Sequence, residues 1–121
     1  FKKRQAYKCM ALSANPVVLT AVGNDDGFHS VFARQVEAFG GKNSVLMGLS
    51  TSGNSKNVVL AFQQAKKMGL TTIAFTGKRG GALKALADIL IAVPETSTPA
   101  IQQVHVHLYH YFCENIEKKL S

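Results

Sequence analysis

Four hydroxyls crowd into the six residues Ser50-Thr51-Ser52-Gly53-Asn54-Ser55, directly after the apolar run Val45 to Leu49. An amphipathic pattern follows, with Val58, Val59, Phe62, Ala65 and Met68 at helical spacing. A buried strand, a hydroxyl-rich turn and a helix start, in that order, can hold one anion. The hydroxyls and the free N–H groups of a first helical turn converge on the same spot. Phosphate is the natural ligand. A plainer role suits the same residues, with Ser55 as an N-cap and the other hydroxyls as solvated turn positions. The pattern alone leaves both open.

A second set of polar side chains, Gln102, Gln103, His105, His107 and His110, lies among the apolar residues of Ile101 to Leu120. At 3.6 residues per turn, Gln102, Val106 and His110 fall within an arc of about 80°, so Gln102 and His110 can address one site two turns apart. His110 has the chemistry of a general acid or base near neutral pH, or of a metal ligand. The competing reading is a hydrogen-bonded core histidine on a mostly buried helix. His107, His110 and Cys113 spread over about 120° of the helix and suit one zinc less well than the usual ligand arrangements.

The elements that must position these groups alternate. Cys9-Met10-Ala11-Leu12-Ser13 reads as a short buried strand, and Asn15-Pro16 opens a short helix over Val17 to Val22. The polar turn Gly23-Asn24-Asp25-Asp26-Gly27 either serves as a plain loop or offers amide and carboxylate groups to a ligand. Phe28 to Phe39 has helical spacing and a Gly40-Gly41 stop. Strands are expected at Val45–Leu49, Thr71–Phe75 and Ile89–Val93, with a short helix over Ala82 to Ala87 and a last helix over Ile101 to Leu120. This order argues for a parallel sheet covered by helices on both faces. Right-handed crossovers then bring the turns at Ser50 and Thr76 to one edge, where ligands of open α/β sheets bind.

With 121 residues, of which 46% are hydrophobic, the chain makes one domain with a real core. No apolar run approaches the roughly 18 residues of a membrane span, and no secretory signal pattern opens the sequence. A cytoplasmic location is the default expectation. Cys9 and Cys113 are read as buried free thiols. The formal charge of +7 is scattered over Lys2-Lys3-Arg4, Lys66-Lys67, Lys78-Arg79, Lys84 and Lys118-Lys119, with no aromatic-interleaved basic stripe. That argues against nucleic acid and suits an anionic small substrate. The common phosphate-loop, zinc-protease, dinucleotide and nucleophile-elbow patterns are absent.

Five runs give the chain a family likeness. VGND (Val22–Asp25), GLSTSGNS (Gly48–Ser55), TGKRGG (Thr76–Gly81), A-D-x-x-I-x-V-P (Ala87–Pro94) and IQQVHVHLYH (Ile101–His110) resemble the sugar-isomerase (SIS) family. The nearest branch is that of the phosphoheptose isomerases. The match runs in order from about Cys9 to the end. The resemblance implies a flavodoxin-like, three-layer SIS fold, with residues 1–121 forming the C-terminal portion of one SIS domain whose first strand and preceding helices are not in this sequence. It implies isomerisation of sedoheptulose 7-phosphate to a manno-heptose 7-phosphate through an enediol, in the synthesis of bacterial surface sugars. Ser50, Thr51, Ser52 and Ser55 match the phosphate-binding turn, and Asn24 and Asp25 match a substrate-contacting pair. Gln102 and His110 match zinc ligands, and His110 also matches the acid–base histidine.

The resemblance further implies a homotetramer with sites at subunit interfaces. The family's glycine-rich first loop and the helix carrying its catalytic Glu have no counterpart among these residues, so the 121-residue chain is expected to be inactive alone. Ala100 and Gln103 stand where relatives commonly have Arg and Glu. The alternative within the same family is a non-catalytic member that binds phosphosugars or associates with the bacterial replication initiator. Its counterpart of His110 is typically not a histidine, so His110 favours the enzyme.

Overall fold

The computed structural model describes residues 3–120. Three strands, β1 (Val45–Leu49), β2 (Thr71–Thr76) and β3 (Ile89–Ala92), form one parallel sheet in the order β1-β2-β3. Five helices accompany them: α1 (Pro16–Asp25), α2 (Val31–Phe39), α3 (Lys56–Lys67), α4 (Leu83–Leu86) and α5 (Thr98–Leu120). The register pairs Leu46 with Thr72, Gly48 with Ala74, and Ala74 with Leu90. Residues that face each other across parallel strands share a sheet face. That face is sealed by Phe62 of α3 and Leu83 of α4, packed on Ala74 together with Leu46, Val58, Val59 and Leu90. A second cluster joins Val36 of α2 to Ala61, Ala65 and Leu70, with Leu12 and Phe32 at its margin.

The opposite face carries Met47, Leu49, Ile73 and Phe75. Here Phe75 is fully buried beneath α5, with the rings of His105 and Phe112 edge-on at 5.7 and 5.6 Å. Helices thus lie on both faces, as the alternating pattern requires. Away from Phe75 this face is open, and Val45 and Ile89 are about half exposed.

Six sequence expectations are corrected. β1, read as a buried strand, has no buried residue, because no helix covers Val45 or Met47 on the open face. α5, read as mostly buried, buries Ile101 and His105 alone. Cys9 to Ser13 is not a strand. A strand exists only through a neighbour's hydrogen bonds, and here the Leu12 carbonyl is taken by the Gln35 side chain at 2.8 Å. The first helix does not end at Gly23 but runs to Asp25, because Asn15 caps its start and Asp26 N bonds Val22 O at its end. Phe28 to Phe39 is a 3-10 turn (Phe28–Ser30) leading into α2, with Phe28 and Phe39 both exposed. Cys9 and Cys113 are exposed rather than buried.

Asp88 ties the end of the sheet remote from the turns. Its carboxylate accepts from Thr72 N at 2.7 Å and from Thr72 Oγ1 at 2.9 Å, and its own amide donates to Thr72 Oγ1 at 3.0 Å. The Thr72 amide and then its hydroxyl hold the carboxyl below its ordinary value against an opposing desolvation cost, with a smaller pull from Lys66. A depressed folded-state value stabilises above the unfolded value and fades as pH falls through the folded one. Asp88→Asn is therefore expected to lower the urea midpoint at pH 7. The gap from the unsubstituted chain should narrow once pH drops below about 4, the unfolded aspartate range. Parallel urea titrations at pH 7 and pH 3 measure it, and an unchanged gap contradicts the assignment.

Candidate functional site

The turn after β1 is built by the sheet edge itself. Ser50 N continues the ladder to Phe75 O at 2.9 Å, and Gly53 N closes back on Ser50 O at 3.0 Å. Ser50 is buried, and its hydroxyl meets the Ser55 hydroxyl at 2.8 Å. In such a pair one hydroxyl donates to the other, leaving a single O–H free to donate elsewhere. Ser52 Oγ accepts from Asn54 N at 3.1 Å, so its own proton is also free to donate.

Ser55 occupies the N-cap position of α3 but makes no side-chain capping bond. Its hydroxyl turns inward to Ser50 instead. Val58 N is bonded by Asn57 Oδ1 and Val59 N by Ser55 O. The amides of Lys56 and Asn57 have no hydrogen-bond partner among the described residues. A helix start with free amides, inward hydroxyls and a positive dipole end has the groups that an anion site needs. The N-cap reading, which needs the Ser55 hydroxyl on the Asn57 or Val58 amide, is not what the geometry gives.

The loop after β2 braces this turn. Gly77 N donates to Thr51 O at 2.9 Å, Leu83 N to Gly53 O at 3.1 Å, and Ala82 N to Asn54 Oδ1 at 2.8 Å. Gly53 has a left-handed backbone (φ 67°), and a Cβ there would stand 2.0 Å from Gly80 O. The loop after β3 joins the same edge through Lys78 N to Glu95 O at 3.0 Å. All three loops cluster at the C-terminal edge of the sheet, with Lys78 and Arg79 exposed on the middle one.

The other expected residues are placed as follows. Asn24 and Asp25 are exposed in the last turn of α1 and bonded to each other, Asn24 Nδ2 to Asp25 Oδ1 at 2.9 Å. No hydrogen bond links them to the Ser50–Ser55 turn among the described residues. Gln102 and His110 are both exposed on α5, and the His110 ring lies against Tyr109 at 4.9 Å. Their separation along the axis is about 12 Å, so a shared ligand must sit midway, over Val106, with both side chains leaning inward. His107 is bonded through Nδ1–H to Gln103 O at 2.8 Å. No three described His, Cys, Asp or Glu residues converge on a metal position. Gln102 and His110 thus offer two donors of the three or four that a zinc site takes from protein, and these residues alone do not complete one.

Two residues to which the sequence assigns no site role belong to this edge. Asn54 staples the turn to the start of α4; an Asn beside Gly in a turn, able to bond back to the main chain, was its available signal. His105, between the residues singled out on α5, is the buried histidine of that helix, with Nε2 3.2 Å from Thr76 O.

Known proteins match this chain along most of its length. Residues 3–77 match the family model described as "SIS domain". The chain is 48% identical to a phosphoheptose isomerase of Clostridium acetobutylicum over 117 residues, 97% of this chain and 60% of that protein. It is 47% identical to a phosphoheptose isomerase of Helicobacter pylori over 119 residues, 98% of this chain and 62% of that protein. Among solved structures, a phosphoheptose isomerase from Francisella tularensis superposes with a TM-score of 0.88 at 37% identity, covering 90% of this chain and 59% of its own. One from Neisseria gonorrhoeae gives 0.84 at 43%, covering 88% and 61%. The chain therefore spans about 60% of the length of the relatives it matches. The turn, its brace and the parallel sheet, together with the family match over residues 3–77, lead to one conclusion: the chain belongs to the SIS-domain family.

Proposed function

We propose that this chain is the phosphate-holding and acid–base portion of a phosphoheptose isomerase acting on sedoheptulose 7-phosphate. The observation that carries the reading is the inward turn of the Ser55 hydroxyl, which leaves the first amides of α3 uncapped beside Ser50 and Ser52. In this reading Ser50, Thr51, Ser52 and Ser55 hold the phosphate, with Asn24, Asp25 and Gln102 contacting the sugar. An aldose–ketose exchange moves one hydrogen between adjacent carbons through an enediol, so it needs a group to take the proton, a group to return it, and charge stabilisation on oxygen. His110, exposed on α5, is the acid–base group of this chain. The second group comes from outside these 121 residues.

One zinc per subunit is part of the same proposal, with Gln102 and His110 as two of its ligands and the remainder outside this chain. When bound, such a metal would polarise the substrate oxygens. Homotetrameric assembly and a cytoplasmic role in surface-sugar synthesis complete it. Exposed apolar residues along α5, including Val104, Val106, Tyr111, Ile116 and Leu120, support assembly. No helix among the described residues is long and apolar enough to cross a membrane.

The test is turnover of sedoheptulose 7-phosphate followed by NMR of the product aldose. The isomerase-length protein containing this chain is expected to convert it, and the 121-residue chain to bind it without conversion. Binding without conversion by the isomerase-length protein would replace this reading with the non-catalytic one.

A further inference from the structure

We propose that His105 is a positioning residue that fixes the helix carrying Gln102 and His110 to the Ser50–Ser55 turn through a single peptide group. The inference rests on the reading of that turn as the phosphate site and of α5 as the carrier of acid–base chemistry.

The peptide is the one between Thr76 and Gly77. A planar trans peptide points its C=O and N–H in opposite directions. On one side Thr76 O lies 3.2 Å from His105 Nε2; on the other, Gly77 N donates to Thr51 O at 2.9 Å. A carbonyl only accepts, so His105 carries its proton on Nε2. Thr76 O also receives Val93 N at 2.9 Å, and the Thr76 hydroxyl is occupied by Gly77 O at 3.0 Å. The peptide is thus held by Val93 just after β3, by α5 and by the phosphate turn together. Hydrogen bonds in series polarise one another in a low-dielectric interior, so the bond from His105 strengthens the one to Thr51.

Packing leaves α5 few other anchors. Its fully buried residues are Ile101 and His105, which is 3% exposed. Ile101 approaches the same peptide: a Cβ on Gly77 would lie 2.6 Å from Ile101 Cδ1 and 2.8 Å from Thr51 O. Only glycine lets helix and turn close on each other there. Phe75 stacks edge-on against His105 and fixes the ring plane. The turn, by contrast, keeps its own bonds to Phe75, Leu83 and Ala82 without His105. Losing the histidine therefore displaces α5 and leaves the phosphate cradle standing.

The experiment compares His105→Leu, which removes the donor, with His105→Gln, whose amide reaches about as far as Nε2. In the 121-residue chain, His105→Leu is expected to move the Gly77 amide 15N and 1H resonances upfield. Its affinity for inorganic phosphate should stay within about twofold. In the isomerase-length protein kcat should fall about ten- to a hundredfold with KM little changed, since small misplacements of reacting groups cost that much. His105→Gln should restore most of both signals. Unchanged Gly77 resonances and unchanged kcat in His105→Leu would overturn the proposal. If both variants fail to fold, the 15N spectrum of the unsubstituted His105 ring decides: a proton on Nε2 supports the pin, and one on Nδ1 overturns it. If the protein proves not to be an isomerase, the Gly77 resonances and the phosphate titration still test the link between helix and turn.

Discussion

Gly53→Ala is expected to destroy phosphate binding and to destabilise the chain by about 2–5 kcal/mol, the sum of a left-handed backbone penalty and an overpacked contact. The first contribution arises because φ at Gly53 is 67°, where a Cβ crowds its own following carbonyl. The second is larger in consequence, because the added carbon would sit 2.0 Å from Gly80 O and 2.5 Å from Gly80 C. Those are backbone atoms of the bracing loop and cannot rotate away. To make room, that loop must retreat, breaking Leu83 N to Gly53 O and Ala82 N to Asn54 Oδ1. The turn then loses the brace that aims its hydroxyls. Urea denaturation and a phosphate titration on the same variant check both parts. A variant that binds phosphate normally would show that the brace has no role in the site.

His110→Ala should behave in the opposite way. His110 is exposed, and its ring contact is with the neighbouring Tyr109. Surface substitutions of this kind move stability by no more than about 0.5 kcal/mol. If His110 is the acid–base group, kcat of the isomerase-length protein should drop about 10²- to 10⁴-fold, the usual contribution of positioned proton transfer. Affinity for phosphate should hold, because the turn shares no hydrogen bond with this residue. Steady-state kinetics beside a thermal melt separate the two effects. Retained turnover would move the acid–base role off this helix.

Much of this architecture was legible because short apolar runs bounded by glycine, proline or polar turns have few other solutions. Val45–Leu49 reads directly, and Thr71–Thr76 and Ile89–Ala92 are read to within one residue. Cys9 to Ser13 has similar composition, yet no strand forms, because hydrophobicity specifies burial and a ladder needs a neighbour. The reading of α5 as mostly buried failed for a related reason. An apolar helix face declares that something covers it, not whether the cover lies within the same chain.

At the site, the hydroxyl cluster is visible in the sequence, but whether the Ser55 side chain caps α3 is not. Capping depends on the rotamer of Ser55, which is set by the buried Ser50 hydroxyl 2.8 Å away. His105 could not be distinguished from its exposed neighbours His107 and His110 either. The wheel separates faces, but only the position of the Thr76–Gly77 peptide makes one of those faces an anchor.

If the turn's uncapped amides and hydroxyls bind phosphate, Ser55→Ala is the variant that must weaken it. Because the Ser55 side chain makes no capping bond, the variant should keep α3 and the fold intact. The measurement is a titration of the 121-residue chain with sedoheptulose 7-phosphate, following the backbone amides by NMR. Shifts are expected to centre on Ser52, Ser55, Lys56 and Asn57, with a Kd raised about tenfold or more in Ser55→Ala, the worth of a hydrogen bond to a charged ligand. Full affinity in the variant, or shifts centred away from this turn, would contradict phosphate binding there.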